Sequence, residues 1–313
     1  MYYNILMRMP RFVIAFILLS GLSFGQDIHE NMSVDLVNVY LSATDSDGHF
    51  VTDLTSNDLA LTEDGQPQHI THFSNFALES SDKLGEKDVP LTLALVMDES
   101  TSMGAEILGT NKMDIVKNAA FRLLDELKKD DRMMLITFND IPSEETPLTS
   151  DKKTMERDLL FQSVGEGGET ALLDSIYFAM KKIKDQQGRK MIVVFSDGED
   201  TASNLKLDEV ISNLIASDIT VLAFGTMSLE TNSIRGRYIL QKLADASGGY
   251  AFFPSSLRNL KDVMEKLRAG MRSQYSLGYT STNNNRDGSW RTIEINCKRS
   301  GIKLRYRKGY TAS

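Results

Sequence analysis

Five side chains in three separated stretches of the chain offer one kind of chemistry. Asp98, Ser100 and Ser102 stand in the D-x-S-x-S run Asp98-Glu99-Ser100-Thr101-Ser102, Thr170 follows Gly167-Gly168-Glu169, and Asp197 lies within Ser196-Asp197-Gly198. All five present oxygen, and none presents nitrogen or sulfur. Such a set suits a hard divalent cation with water completing its shell. Two carboxylates balance a divalent charge, while the neutral hydroxyls leave the ion electron-poor. An open coordination position would then attract an external carboxylate, so the residue types point to binding rather than turnover. Mg²⁺ is the first expectation, with Mn²⁺ or Ca²⁺ as alternatives. Glu99, Glu169, Glu199 and Asp200 lie nearby in sequence and read as rim charge. Asp174 falls in the first turns of a helix, where an acidic residue is favoured in any case.

These residues act together only if the elements between them converge. Residues 91–97 form an apolar run broken only by Thr92, as expected of a strand buried on both faces. Met113, Val116, Ala120, Leu123, Leu124 and Leu127 then recur at helical spacing. Strand patterns at 133–138, 191–195, 220–224 and 250–253 alternate with helical patterns at 172–183, 207–214, 234–246 and 257–271. This predicts an α/β fold, a Rossmann-like doubly wound and mostly parallel sheet covered by helices. In an open sheet of that kind the carboxyl ends of the strands form the ligand edge, which is where Asp98 and Asp197 emerge. The flanks read differently. Residues 34–76 and the segments 274–280, 290–297 and 302–307 are strand-like with turn-forming junctions, and the two flanks are expected to build one small β domain. The resulting division is 1–25, 26–86, 87–272 and 273–313, with a polar connector at 79–87.

The combination of D-x-S-x-S after an apolar strand, a threonine after paired glycines and S-D-G after a later strand resembles the von Willebrand factor type A domain and its metal-ion-dependent adhesion site, over residues 89–271. The resemblance implies Ser100, Ser102 and Thr170 as hydroxyl ligands, with Asp98 and Asp197 coordinating directly or through water. It also implies a protein ligand presenting a carboxylate, and a last helix that shifts when the ligand binds. The flanking runs Leu54-Thr55-Ser56-Asn57-Asp58-Leu59, Glu63-Asp64-Gly65-Gln66-Pro67-Gln68, Tyr275-Ser276-Leu277-Gly278-Tyr279 and Arg307-Lys308-Gly309-Tyr310 are similar to the bacterial VWFA-related domain first grouped from acidobacterial proteins. That grouping has no single assigned activity. A constitutive structural or assembly subunit of a cell-envelope complex is the alternative function.

Other chemistries fit less well. A phosphohydrolase of the haloacid-dehalogenase type needs a second aspartate two residues after the first, and Ser100 stands there. Gly104, Gly109 and Lys112 do not make a P-loop, because the lysine does not follow the second glycine and the segment does not leave a strand directly. His69 and His72 lie in a strand-like segment and would face opposite sides. Asp45-Ser46-Asp47-Gly48 is explained by a hairpin turn, its glycine coming two residues early for an EF-hand. All four histidines lie outside the α/β segment, so no Ser-His-Asp arrangement can be placed at its edge. The chain is therefore expected to be no enzyme.

Composition adds the setting. Arg8 and Arg11 precede an apolar run from Phe12 to Leu22 and the small-residue stretch Ser23-Phe24-Gly25, the order of a cleaved secretory signal. The run is about half the roughly 20 residues a spanning helix needs. The expected product is exported, periplasmic or extracellular, with no stable membrane span. The formal charge of −8 and the lack of a basic run give no electrostatic support to nucleic-acid binding. Cys297 is the single cysteine. It shares a strand face with Ile293 and Ile295 and reads as a buried structural thiol.

Overall fold

A computed structural model describes residues 36–77, 89–107, 110–165, 168–226, 234–254, 257–272 and 274–312. The expected signal segment 1–25 and the polar connector at 79–87 lie outside the described residues. The described residues begin with strands β1 (Leu36–Thr44), β2 (Leu59–Glu63), β3 (Gln66–Gln68) and β4 (Ile70–Asn75). It then alternates through β5 (Leu91–Asp98), the short hairpin β6 (Glu106–Ile107) and β7 (Thr110–Asn111), α1 (Lys112–Glu126), β8 (Arg132–Phe138), β9 (Pro142–Thr149) and α2 (Lys152–Phe161). The alternation continues with α3 (Leu172–Ile183), β10 (Arg189–Ser196), α4 (Leu207–Ala216), β11 (Ile219–Gly225), α5 (Ile234–Ser247), β12 (Tyr250–Phe252) and α6 (Leu257–Arg272). Strands β13 (Gln274–Thr280), β14 (Trp290–Cys297), β15 (Lys303–Tyr306) and β16 (Gly309–Thr311) close the fold.

The central sheet has the order β12-β11-β10-β5-β8-β9, with β9 antiparallel to β8 and the other pairings parallel. Strand β5 is buried at every position, as its apolar run predicts for the middle of a sheet covered on both faces. Leu93, Leu95 and Met97 enter one core with Val116 and Leu123 of α1 and Leu267 of α6. Ala94 and Val96 enter a second with Ile176 of α3 and Leu243 of α5. Each buried aliphatic side chain of this size contributes roughly 1.5–3 kcal/mol of transfer free energy. The strand that ends in Asp98 is thus fixed by its own burial.

Two elements here carry little sequence signal. In β9 only Thr146 is buried. It is an edge strand with two prolines and two glutamates, and an edge can tolerate proline because its outer N–H groups have no partner strand. In α2 only Met155 and Leu159 are buried, too narrow a stripe to stand out as a helical period.

The flanking strands form two four-stranded antiparallel sheets, β15-β1-β13-β4 and β16-β14-β2-β3. Each mixes strands from both ends of the chain: Val39 pairs with Leu277, and Leu61 with Ile295. Val39, Leu41, Leu59, Leu61, Tyr275, Tyr279, Ile293 and Ile295 share one core. Cys297 packs at the margin of that core and is half-buried rather than buried. His69 falls between β3 and β4 instead of within one strand, and both His69 and His72 are exposed. Arginines tie this layer to the α/β part. Arg305 of β15 pairs with Asp245 of α5, and Arg307 pairs with Asp218 just before β11. The Tyr250 hydroxyl accepts a hydrogen bond from Ser42 at 3.0 Å.

Candidate metal site

Strands β5 and β10 are adjacent and parallel, so Asp98 and Ser196 leave the sheet side by side. Asp98 is fully buried. One of its carboxylate oxygens accepts the Ser100 N–H at 2.9 Å, and the other accepts the Ser196 hydroxyl at 2.7 Å. After Asp98 the chain turns through a short 3-10 segment at Thr101–Gly104, where the Met103 N–H donates to the Ser100 carbonyl at 2.9 Å. Met103 is buried in the core below, which anchors the loop and leaves Ser102 exposed. Ser100 and Ser102 lie with their hydroxyls 3.1 Å apart, and the Ser102 hydroxyl donates to Asp197 at 2.8 Å. Asp98, Ser100, Ser102 and Asp197 therefore form one continuous hydrogen-bonded array.

Asp197 is held by its neighbours. Gly198 has φ +84°, and a Cβ there would sit 2.3 Å from the Gly236 carbonyl oxygen. A Cβ on Gly236 would in turn meet the Asp197 carbonyl at 2.4 Å. Two glycines thus let the loop after β10 lie directly on the first turn of α5, and only glycine tolerates both the close approach and the left-handed backbone.

Thr170 arrives from a different loop. It is 5 % exposed, its N–H donates to the Thr201 hydroxyl at 2.9 Å, and its carbonyl accepts from the Thr201 and Ala202 N–H groups. These bonds stitch it to the loop that follows Asp197. Among the described residues no hydrogen bond joins Thr170 to the other four. The rim residues also divide. Asp200 accepts the Leu173 N–H at 3.1 Å, satisfying a free donor at the start of α3. Asp174 accepts the Asn204 and Leu205 N–H groups at 3.0 Å. Glu169 and Glu199 are exposed.

The electrostatics are those of a site with surplus negative charge. Burial pushes the Asp98 carboxyl up to about 6, against the hydrogen bonds from Ser100 and Ser196, and the charge of Asp197 adds to the rise. Burial likewise pushes Glu99 up to about 7, with Thr137 opposing and Glu145 reinforcing. A buried carboxylate crowded by a second one is stabilised by a cation. The donor set, two carboxylates and three hydroxyls without nitrogen or sulfur, suits a hard one.

Two participants have a role at the site that the sequence patterns do not assign to them. Ser196 orients Asp98, a role that its place in the S-D-G run does not disclose. Lys112, the first residue of α1, is 5 % exposed and places its ammonium 3.9 Å from an Asp197 oxygen. A separate group, Asp45, Asp47 and His49, lies within mutual reach in the turn after β1. There one Asp45 oxygen accepts the Asp47 and His49 N–H groups at 2.9 Å each, the bonding of a turn.

Comparison with known proteins bears on the α/β part. The family model described as von Willebrand factor type A domain matches residues 92–266. No curated protein matches the chain. Among solved structures, the conserved hypothetical protein BatB from Bacteroides thetaiotaomicron is 21 % identical with a TM-score of 0.47, over 58 % of this chain and 100 % of that one. Proximal thread matrix protein 1 from the mussel byssus, in a structure with a zinc-occupied MIDAS motif, is 20 % identical with a TM-score of 0.49, over 60 % of this chain and 47 % of that one. The PilB minor pilin from Streptococcus sanguinis is 13 % identical with a TM-score of 0.48, over 62 % and 63 %. At these identities and scores no residue role passes from them to this chain.

Proposed function

The chain belongs to the von Willebrand factor type A domain family, and from that premise we propose that it is an exported binding module. In this reading Asp98, Ser100, Ser102, Thr170 and Asp197 hold a divalent cation, Mg²⁺ first, and a carboxylate on a protein ligand completes the site. The observation that carries the proposal is the hydrogen-bonded array from Asp98 through Ser100 and Ser102 to Asp197 at the ligand edge of the sheet. When bound, the cation supplies an open coordination position to the incoming carboxylate. The protein's own part is positional. Ser196 and the Ser100 N–H fix Asp98, Met103 pins the serine loop from below, and Gly198 against Gly236 fixes Asp197. The Thr201 hydroxyl fixes Thr170 from the neighbouring loop. Export rests on the charged, apolar and small-residue order of the first 25 residues.

A second reading, a constitutive subunit of an envelope assembly, is favoured by one observation: Asp197 already has Ser102 and Lys112 as partners, so the array is satisfied as it stands. Calorimetric titration of the purified chain with Mg²⁺ and Mn²⁺, beside an Asp98→Ala variant, separates the two. The binding module requires saturable uptake that the variant loses and that EDTA reverses. Partner capture that survives EDTA unchanged would favour the constitutive subunit.

A further inference from the structure

Lys112 stands where a lysine gains least from its surroundings. It is the first residue of α1, where the helix presents the positive end of its dipole, and its side chain is 5 % exposed. The helix does not need the ammonium to start. Asn111 caps it by accepting the Met113 N–H at 2.7 Å, and the Lys112 N–H donates to the Ala105 carbonyl at 3.1 Å. Nor does the ammonium reach open solvent as a surface lysine would. Its ion-pair partner among the described residues is Asp197, at 3.9 Å, a distance that attracts without the short contact of a tight charge-assisted hydrogen bond.

Charge balance shows what such a placement does, on the reading of the five residues as a cation site. Asp98 and Asp197 carry two negative charges, and Lys112 reduces the net charge to one negative. A divalent cation would bring it to one positive, and a carboxylate from outside would bring it to zero. Without Lys112 the same steps run from two negative, through zero, to one negative. The lysine therefore opposes the metal and favours the anionic ligand, and interactions at this range in a partly buried site are strong enough to decide between them.

We infer that Lys112 is an internal counter-cation that sets the preference of the site. It weakens metal binding and leaves the loaded site with a positive charge that selects an anionic group on the partner. It also occupies Asp197 in the metal-free protein, which keeps the array ordered before any cation arrives.

The test uses the full chain with Lys112→Met, Lys112→Gln and Lys112→Arg, each checked for folding by thermal melting in EDTA. Mn²⁺ affinity is read by calorimetry, and acetate is then titrated into the Mn²⁺-saturated proteins. The expected result is at least tenfold tighter Mn²⁺ binding in the Met and Gln variants, near-parent affinity in the Arg variant, and weaker acetate uptake by the two neutral variants. Lys112→Gln keeps a donor toward Asp197 and carries the test if the Met variant does not fold. Unchanged or weaker Mn²⁺ binding in the neutral variants, with the parent binding normally, overturns the role of Lys112 and leaves the metal site standing. Absence of Mn²⁺ binding in parent and variants alike overturns the metal site itself and this inference with it.

Discussion

Glu63 and Asp98 are both buried carboxylates served by hydroxyl groups, and their hydrogen-bond networks end differently. Glu63, in β2, is 2 % exposed and accepts the hydroxyls of Tyr279 at 2.7 Å and Tyr310 at 2.9 Å, with Ser281 on its other oxygen. Both tyrosine hydroxyls are spent on it, and Ser281 also accepts the Asn283 N–H at 3.0 Å, which keeps the network within the fold. Burial and the Glu63 carboxylate push the Tyr279 and Tyr310 hydroxyls up, Tyr310 to about 12. Asp98 is served by the Ser196 hydroxyl and by Ser100, and the hydroxyls of Ser100 and Ser102 lead on to a second carboxylate at the edge of the sheet. The difference lies in what the hydroxyls do next. In the β layer they end the network, whereas at the sheet edge they pass it on toward another acid. The first network closes within the fold, and on the function proposed above the second is where a cation enters.

The contrast can be broken in three ways. The largest effect is expected from Glu63→Ala, which strips the shared acceptor from three hydroxyls in a buried setting and should cost about 4 kcal/mol. Denaturant unfolding measures it, and the loss should be the same with Mg²⁺ or EDTA. A loss under about 1 kcal/mol, or one that depends on metal, would remove the distinction between the clusters.

The next effect concerns Asp98 without metal. Its folded pKa of about 6 lies above the ordinary carboxylate value of 3.8. The folded chain therefore holds the proton more tightly than the unfolded chain, and the stability this group contributes is present at low pH and lost as pH rises from about 4 to 6. The shift bounds the change at about 3 kcal/mol. In EDTA, the melting temperature of Asp98→Asn relative to the parent should climb across that interval and then level off. A flat difference would mean that Asp98 does not feel its burial.

The smallest effect is expected from Tyr310→Phe, at about 1 kcal/mol near neutral pH for one hydrogen bond. The parent should also lose stability as pH rises from about 10 to 12, because the folded Tyr310 keeps its proton longer than the unfolded one. The variant should lose less over that range in alkaline melts, and an identical loss would detach Tyr310 from the Glu63 cluster.

Legibility in the sequence followed burial. Strand β5 shows itself because a strand covered on both faces must be apolar throughout, and the same run makes a terminal aspartate conspicuous. The edge strand β9 and the helix α2 bury one and two residues, and so leave no period to read. At the site, D-x-S-x-S and S-D-G are local patterns whose residue types declare their chemistry. The bonds from Ser102 to Asp197 and from Ser196 to Asp98 are tertiary and depend on β5 and β10 lying side by side. Lys112 is the extreme case. Read locally it is a helix-start lysine after two scattered glycines, and its meaning comes only from the burial of its ammonium beside Asp197.

The interleaving of the two flanks has a consequence for how the chain comes into being. Strand β1 lies between β13 and β15, and β2 lies between β14 and β3, so both edges of β1 and one edge of β2 await strands made only after the α/β part. Until those strands exist, β1 and β2 expose backbone edges and the apolar faces that later meet Tyr275, Leu277 and Ile293. The α/β part can close locally in the meantime, since its strands and helices follow one another along the chain. Synthesis therefore imposes an order: the α/β part can mature first, and the β layer is sealed by the strands that follow it.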